Sequence, residues 1–184
     1  MALANRVLAI LALLALAGCA ALPPRTASEP VQFELSARLA VRYQNEASSG
    51  KLAWRHAPRS DDMLITSSLG QGIARIVRRG GTVTLTGSNG RVYQASDAQA
   101  LTEEVLGFRV PLGGLADWVR GRAAPGPADE TRGPDGRLAK LAQDGWRIDY
   151  LAYDGSLPAR LRLVYPGIEL RLAIDEWVKK PGGP

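Results

Sequence analysis

From Phe33 to Tyr43 every second residue is apolar. Phe33, Leu35, Ala37, Leu39, Val41 and Tyr43 alternate with Glu34, Ser36, Arg38 and Arg42, and only Ala40 blurs the second set. A period of two puts the apolar set on one face, so this stretch reads as a long, half-buried strand. Such a strand needs partners, and the residues that follow supply them. Asn45 to Gly50 reads as a turn, and Lys51 to His56 as a strand with Leu52 and Trp54 on one face, ended by Ala57-Pro58. Further strands are expected at Met63–Ser67, Ile73–Arg79, Thr82–Thr86 and Arg91–Ala95, with Gly80-Gly81 and Ser88-Asn89-Gly90 as turns. Short strands joined by turns argue for a meandering antiparallel sheet.

The period then changes. Ser96 or Asp97 can cap a helix in which Ala98, Leu101, Val105 and Leu106 share a face, with Gly107 as its C′ residue. Pro111 can open a second, shorter helix with Leu112, Leu115, Trp118 and Val119 inward and Gly121 at its end. Arg122 to Gly136 is rich in Pro, Gly and charge and reads as a surface loop. Strands resume at Arg137–Ala142 and Trp146–Tyr153, and again at Ala159–Tyr165 and Ile168–Ile174, each pair closed by a short turn. The chain is therefore mainly β (α+β). The expectation is a strongly curved antiparallel sheet forming an incomplete β-barrel, with helices packed over its open, apolar interior.

Ahead of the sheet lies Leu16-Ala17-Gly18-Cys19, closing an apolar run from Val7 to Ala17 behind Asn5 and Arg6. The run has signal-peptide length and is too short to span a bilayer. The pattern resembles the bacterial lipobox, whose cysteine receives a diacylglycerol and becomes the acylated first residue of the mature protein. Residues 1–18 are then a lipoprotein signal peptide and 19–31 a lipid anchor and tether, extended by Pro23, Pro24 and Pro30. Residues 32–178 form one domain and 179–184 a tail. Cys19 is the only cysteine, which excludes a disulfide and a multi-cysteine metal site. No cofactor is expected beyond the covalent N-acyl diacylglycerol on Cys19. The net charge of +5 suits an anionic membrane surface or an acidic partner at least as well as nucleic acid.

No catalytic constellation emerges. His56, the only histidine, sits beside Pro58 at a strand end and reads as a surface or rim residue without a second histidine or thiol to complete a triad or metal site. Asp61-Asp62 reads as a solvated turn and Glu103-Glu104 as a solvated helix face. Gly87-Ser88-Asn89-Gly90 is turn chemistry, not a nucleophile elbow. Arg75, Arg78 and Arg79 lack the aromatic interleaving of a nucleic-acid site and read as a solvated strand edge.

Six pieces, in order, resemble the LolB family of outer-membrane lipoprotein receptors. They are the lipobox, Trp54, Leu64-Ile65-Thr66-Ser67-Ser68-Leu69-Gly70, Pro111-Leu112 with Leu115 and Trp118-Val119-Arg120-Gly121, Gln143-Asp144-Gly145-Trp146, and Ile174-Asp175-Glu176-Trp177. The resemblance implies a half-open barrel of about eleven strands that is not an enzyme. It would accept acylated lipoproteins from a LolA-like periplasmic carrier and release them into the outer membrane. It would be anchored there as a monomer, with its domain facing the periplasm. Ala20 after the lipid cysteine agrees with that placement, since Asp is the enterobacterial retention signal. Phe33, Leu35, Trp54, Ile65, Leu101, Trp118, Trp146 and Ile148 are the candidates to line an acyl-chain cavity. In the alternative, a structural or assembly-complex lipoprotein, the same residues would fill an ordinary core. Leu69 and Gly70, set among Ser67-Ser68 and Gln71-Gly72, form the candidate membrane-insertion loop.

Overall fold

The computed structural model describes residues 29–44, 46–106, 110 and 112–179. The signal segment, Cys19, the tether up to residue 28, Asn45, Gly107, Pro111 and the tail after residue 179 lie outside the described residues. Six strands come first: β1 (Phe33–Tyr43), β2 (Glu46–Ala57), β3 (Ser60–Thr66), β4 (Gly72–Arg79), β5 (Thr82–Gly87) and β6 (Val92–Ala95). Helices α1 (Ala98–Leu106) and α2 (Leu112–Trp118) follow, then β7 (Asp129–Arg132), β8 (Leu138–Gln143), β9 (Trp146–Asp154), β10 (Leu157–Tyr165) and β11 (Ile168–Lys179).

All eleven strands join one antiparallel sheet in the order β6-β5-β4-β3-β2-β1-β11-β10-β9-β8-β7. The chain meanders outward from β1 to one edge, crosses by way of the two helices to the other edge, and meanders back until β11 closes on β1. The sheet is open, because β6 and β7 are its two edges and pair with neighbours on one side only. β1 is the hub. It pairs with β2 from Phe33↔His56 to Tyr43↔Glu46, and with β11 from Glu34↔Lys179 to Tyr43↔Ile168. Register shifts against β11 fall at Glu34/Leu35 and Ser36/Ala37, and others at Pro158 to Leu161 between β9 and β10. Extra residues of this kind bend a strand and increase its twist, which curls the sheet.

The alternation of β1 is realised as read: Phe33, Leu35 and Ala37 are buried while Arg38 is exposed. The same inward face continues through Leu52 and Trp54, Met63, Ile76, Val83 and Leu85, and on the other wing through Leu141, Ile148, Leu161 and Leu172. Leu101 of α1 and Leu112, Ala116 and Trp118 of α2 join this single cluster from above. The buried apolar residues run from Phe33 to Leu172, so among the described residues the core owes nothing to the tether. Asp97 caps α1, its Oδ1 accepting the backbone N–H groups of Gln99 and Ala100 at 2.8 and 3.2 Å. Ahead of β1, both carboxylate oxygens of Glu29 accept the Arg59 N–H at 3.0 Å, which clamps the start of the described chain to the β2–β3 turn.

Three expectations change. Glu46 to Gly50 is not a turn but the first half of β2, because β1 is long enough to impose pairing on a polar segment with no pattern of its own. The segment 122–136 is not all loop: Asp129–Arg132 forms β7, exposed at all four positions and held by pairing to β8. β11 runs beyond Ile174 to Lys179 and so includes Asp175-Glu176-Trp177.

Gly50 shows how closely β2 and β3 approach. A Cβ there would strike the Thr66 carbonyl oxygen well inside contact distance, and that obstacle is backbone, which cannot turn aside as a side chain would. Gly50→Ala is expected to destabilise the domain by about 1–3 kcal/mol. It should also raise hydrogen exchange in the segment from Thr66 to Gly72, measured by mass spectrometry. An unchanged melting temperature would show that the two strands do not approach this closely.

Candidate functional site: an apolar cavity beneath the second helix

The concave face is not filled. A cavity of about 280 Å³ lies between the sheet and α2. Its floor is Leu39 and Val41 of β1, Leu52 and Trp54 of β2, Met63 and Ile65 of β3, Ile73, Ala74 and Ile76 of β4, and Leu163, Leu170 and Leu172 from the opposite wing. Val110, Leu112 and Leu115 cover it. Ser48, Ser49 and Gly50 at one end are the only lining residues that are not apolar. A space bounded in this way can hold hydrocarbon and offers nothing to a charged or strongly hydrogen-bonding ligand. Among the described residues, no group of three or more His, Cys, Asp or Glu is placed to hold a metal ion.

Of the eight residues picked out as cavity candidates, Trp54 and Ile65 border this space. The other six do not. Phe33, Leu35, Leu101, Trp118, Trp146 and Ile148 are buried in packed core around it. Phe33 meets Trp54 edge-on at 5.0 Å and Trp177 at 5.5 Å, and Trp118 lies 6.4 Å from Trp146. Alternation identifies which side chains turn inward but not which of them face a void.

Two polar clusters hold the walls. In the first, Trp54 donates from Nε1 to Asp61 Oδ1 at 2.9 Å, and His56 Nδ1 lies 2.6 Å from the same oxygen. Arg78 donates from Nε to Asp61 Oδ2 at 2.6 Å. Asp61 is 2% exposed and His56 6%, so neither is the surface group its sequence neighbours suggest. Burial by itself would raise the Asp61 carboxyl. Hydrogen bonds from His56 and Trp54, with the fields of His56 and Arg78, outweigh it and hold the group below the usual carboxylate range. The signal was there: a two-residue turn at Pro58-Arg59 sets Asp61 directly opposite His56, on the face that Trp54 shares. The next strand then places Arg78 opposite Asp61.

The second cluster secures one end of α2. Trp118 donates from Nε1 to the buried Gln143 Oε1 at 2.8 Å, and the Gln143 amide exchanges two further bonds with the Ala124 backbone. The Tyr150 hydroxyl donates to the Trp118 carbonyl at 3.0 Å, and burial pushes that hydroxyl well above its ordinary value. Gln143 opens the Gln143-Asp144-Gly145-Trp146 motif, but nothing in the sequence marks it as buried or names its partners. α2 is thus bolted to β8 and β9 at Trp118, while Leu112 and Leu115 rest over the cavity through apolar contact.

Leu69 stands apart from all of this. Ser67 organises its loop: the Ser67 N–H donates to the Gln71 carbonyl at 2.8 Å, its carbonyl accepts the Gly70 N–H at 2.9 Å, and its hydroxyl accepts the Gln71 N–H at 3.2 Å. Gly70 adopts φ +86°, a conformation glycine takes without strain. This short frame presents Leu69 at 87% exposure.

Asp61→Asn removes the anion that Arg78 and His56 share. It is expected to cost about 3 kcal/mol, the low end for breaking a buried pair, because Arg78 keeps some access to water. That corresponds to a melting temperature lower by roughly 6–12 °C. The pH dependence has a fixed sign. A carboxyl lowered by folding stabilises above its ordinary range, and that contribution disappears as pH falls through the lowered value. The variant should therefore lose stability at neutral pH yet show a flatter acid limb in denaturant titrations. An acid limb as steep as that of the unaltered chain would assign the effect to other carboxylates.

Comparison with known proteins gives the chain a family. A family model described as "Outer membrane lipoprotein LolB" matches residues 31–177. A protein from Thiobacillus denitrificans named outer-membrane lipoprotein LolB is 42% identical, over 96% of this chain and 100% of its own. Proteins of the same name from an Azoarcus species and from Pseudomonas aeruginosa are 38% and 36% identical, over 95% and 82% of this chain and 96% and 76% of theirs. A solved LolA superfamily protein from Nitrosomonas europaea superimposes with a TM-score of 0.48 at 10% identity, over 85% of this chain and 89% of its own. With the family model running from ahead of β1 to Trp177 in β11, the chain belongs to the LolB family of outer-membrane lipoproteins.

Proposed function

We propose that this chain is an outer-membrane receptor that accepts acylated lipoproteins from a LolA-like periplasmic carrier and releases them into the outer membrane. Cys19 bears the lipid that holds it there, and the domain hangs in the periplasm as a monomer. The observation that carries this reading is the predominantly apolar cavity under a helix whose Trp118 end is bolted to β8 and β9. A structural lipoprotein with a filled core has no use for such a space.

The cavity is slightly smaller than common small-molecule sites, which span about 300–1,000 Å³. It therefore has to widen to hold a lipoprotein's acyl chains. The Trp118 bolt supplies the pivot: the end of α2 that carries Leu112 can swing away from the sheet while the Trp118 end stays fixed. The step is binding and transfer with no bond made or broken, so it runs downhill only where this chain holds the acyl group more tightly than the carrier. Each tenfold ratio of affinities supplies about 1.4 kcal/mol.

Release is the task of Leu69. Moving a leucine side chain from water into hydrocarbon gains roughly 2 kcal/mol, enough to bias an exposed loop toward the bilayer. Leu69→Glu removes no packing, given the exposure of the side chain. It should melt like the unaltered protein and still take lipoprotein from the carrier, while incorporation into vesicles falls at least tenfold. Normal incorporation would remove Leu69 from the mechanism.

The cavity has its own test. Ala74→Phe fills the space from β4 and, with a void to receive the ring, should change stability by less than about 1.5 kcal/mol. Binding of a fluorescent acyl probe, and uptake of lipoprotein from the carrier, should each fall at least tenfold. Full uptake by a folded Ala74→Phe protein would show that acyl chains bind elsewhere.

A further inference from the structure

The convex face of the sheet holds a groove of about 390 Å³ that the transfer reading leaves without a role. Arg38, Lys51, Arg160 and Arg171 line it, together with Ser68, which immediately precedes Leu69. Lys51 of β2 lies directly opposite Arg38 of β1, and Arg38 and Arg160 lie on either side of Ala173 of β11. Three cations therefore stand in one row across four strands, with an alanine as the floor between two of them. Like charges directly opposite each other in a sheet are destabilising, and this row keeps such a pair. Acidic neighbours offset only part of it. Asp175 pairs with Arg38 at 2.9 Å and Glu169 with Arg171 at 2.6 Å, whereas Lys51 and Arg160 have no ion pair among the described residues.

Strands two apart are separated by about 10 Å, a span that two arginine side chains can close around one phosphate. The groove also has an apolar margin. Leu151, at the β9–β10 register shift, is 60% exposed and borders it, and Ser68 of its lining is followed directly by the exposed Leu69. Phosphate and hydrocarbon side by side are what a phospholipid boundary presents, whereas nucleic acid would present phosphate without the hydrocarbon.

We propose that this convex groove binds the phosphodiester of an anionic phospholipid headgroup between Arg38 and Arg160, which stand two strands apart, with Lys51 beside Arg38. The proposal rests on the reading that this protein works at a lipid surface. It does not require Leu69 to insert. Its effect would be to hold the Leu69 loop against the bilayer through an interaction that an acyl-loaded carrier cannot imitate.

The test uses the chain from residue 19 onward with Cys19→Ala, whose core is complete without the lipid, in flotation with vesicles. Vesicles of phosphatidylglycerol in phosphatidylcholine should bind it at least tenfold more than phosphatidylcholine alone. Lys51→Glu/Arg160→Glu should remove most of that preference, since each cation near an anionic surface is worth about fivefold in binding. The melting temperature should not change. Arg79→Glu/Arg91→Glu makes the same change in net charge elsewhere and should retain the preference. Unaltered binding by the groove variant would overturn the proposal. So would an equal loss in the Arg79/Arg91 variant, which would mean diffuse attraction by net charge. If inorganic phosphate releases the protein as effectively as dihexanoyl phosphatidylglycerol, the site takes free anions and the headgroup assignment falls. Lipoprotein transfer from the carrier is measured in parallel. A chain that prefers anionic vesicles through this groove but takes up no lipoprotein would sink the receptor reading and leave the groove standing.

Discussion

An eleven-stranded sheet that curls its apolar face inward encloses more space than helices of nine and seven residues can fill. That mismatch governs the rest of the molecule. Where α1 meets β5 and β6, and where Trp118 meets β8 and β9, side chains close the gap and an ordinary packed core results. Between those two contacts the concave face has only Val110, Leu112 and Leu115 above it, and the cavity is what remains. An empty apolar space forfeits dispersion contacts along its whole lining. It persists only if the surrounding frame cannot collapse onto it.

The polar clusters give the frame that resistance. Asp61 ties three strands through Trp54, His56 and Arg78, and it does so through the same indole that forms part of the cavity wall. Gln143 does the same for the helix end, answering one indole and one stretch of backbone with a single amide. Buried polar groups fully satisfied in this way specify one arrangement, because any shift leaves a donor unpaired in a low dielectric. The apolar contacts of Leu112 and Leu115 have no such directionality. Within the cover, Val110 is tied to α1, its N–H donating to the buried Thr102 hydroxyl at 2.9 Å, while the Leu112 and Leu115 side chains meet the cavity through apolar contact alone.

Much of the fold was legible before any coordinate. The alternation in β1, the glycine turns between strands and the Asp97 cap each announce a local geometry that the structure adopts. The errors share a cause. β7 and the first half of β2 are strands only because a neighbour offers them a ladder, so no local pattern marks them. His56 and Asp61 look exposed from their sequence neighbours, and it is cross-strand register that unites and buries them. The site was legible in part. Inward-facing residues were found, but whether an inward face touches helix or void depends on where α2 lies, and Trp54 and Ile65 differ from Phe33 and Ile148 in nothing the sequence displays.

The Glu29 clamp has a mechanical consequence. It fixes the point where the chain leaves the domain at the β2–β3 turn, whereas the Leu69 loop hangs from the opposite end of β3. With the anchor proposed at Cys19, the leash from residue 19 to residue 29 can extend to at most about 35 Å. The seven residues of β3 already take up about 23 Å between the leash point and the loop. A domain hung vertically from its leash would carry Leu69 away from the bilayer, and one lying on its side would bring it there. The clamp thus makes reach a matter of posture: ten residues are enough to let the domain tip over, and too few to let it wander.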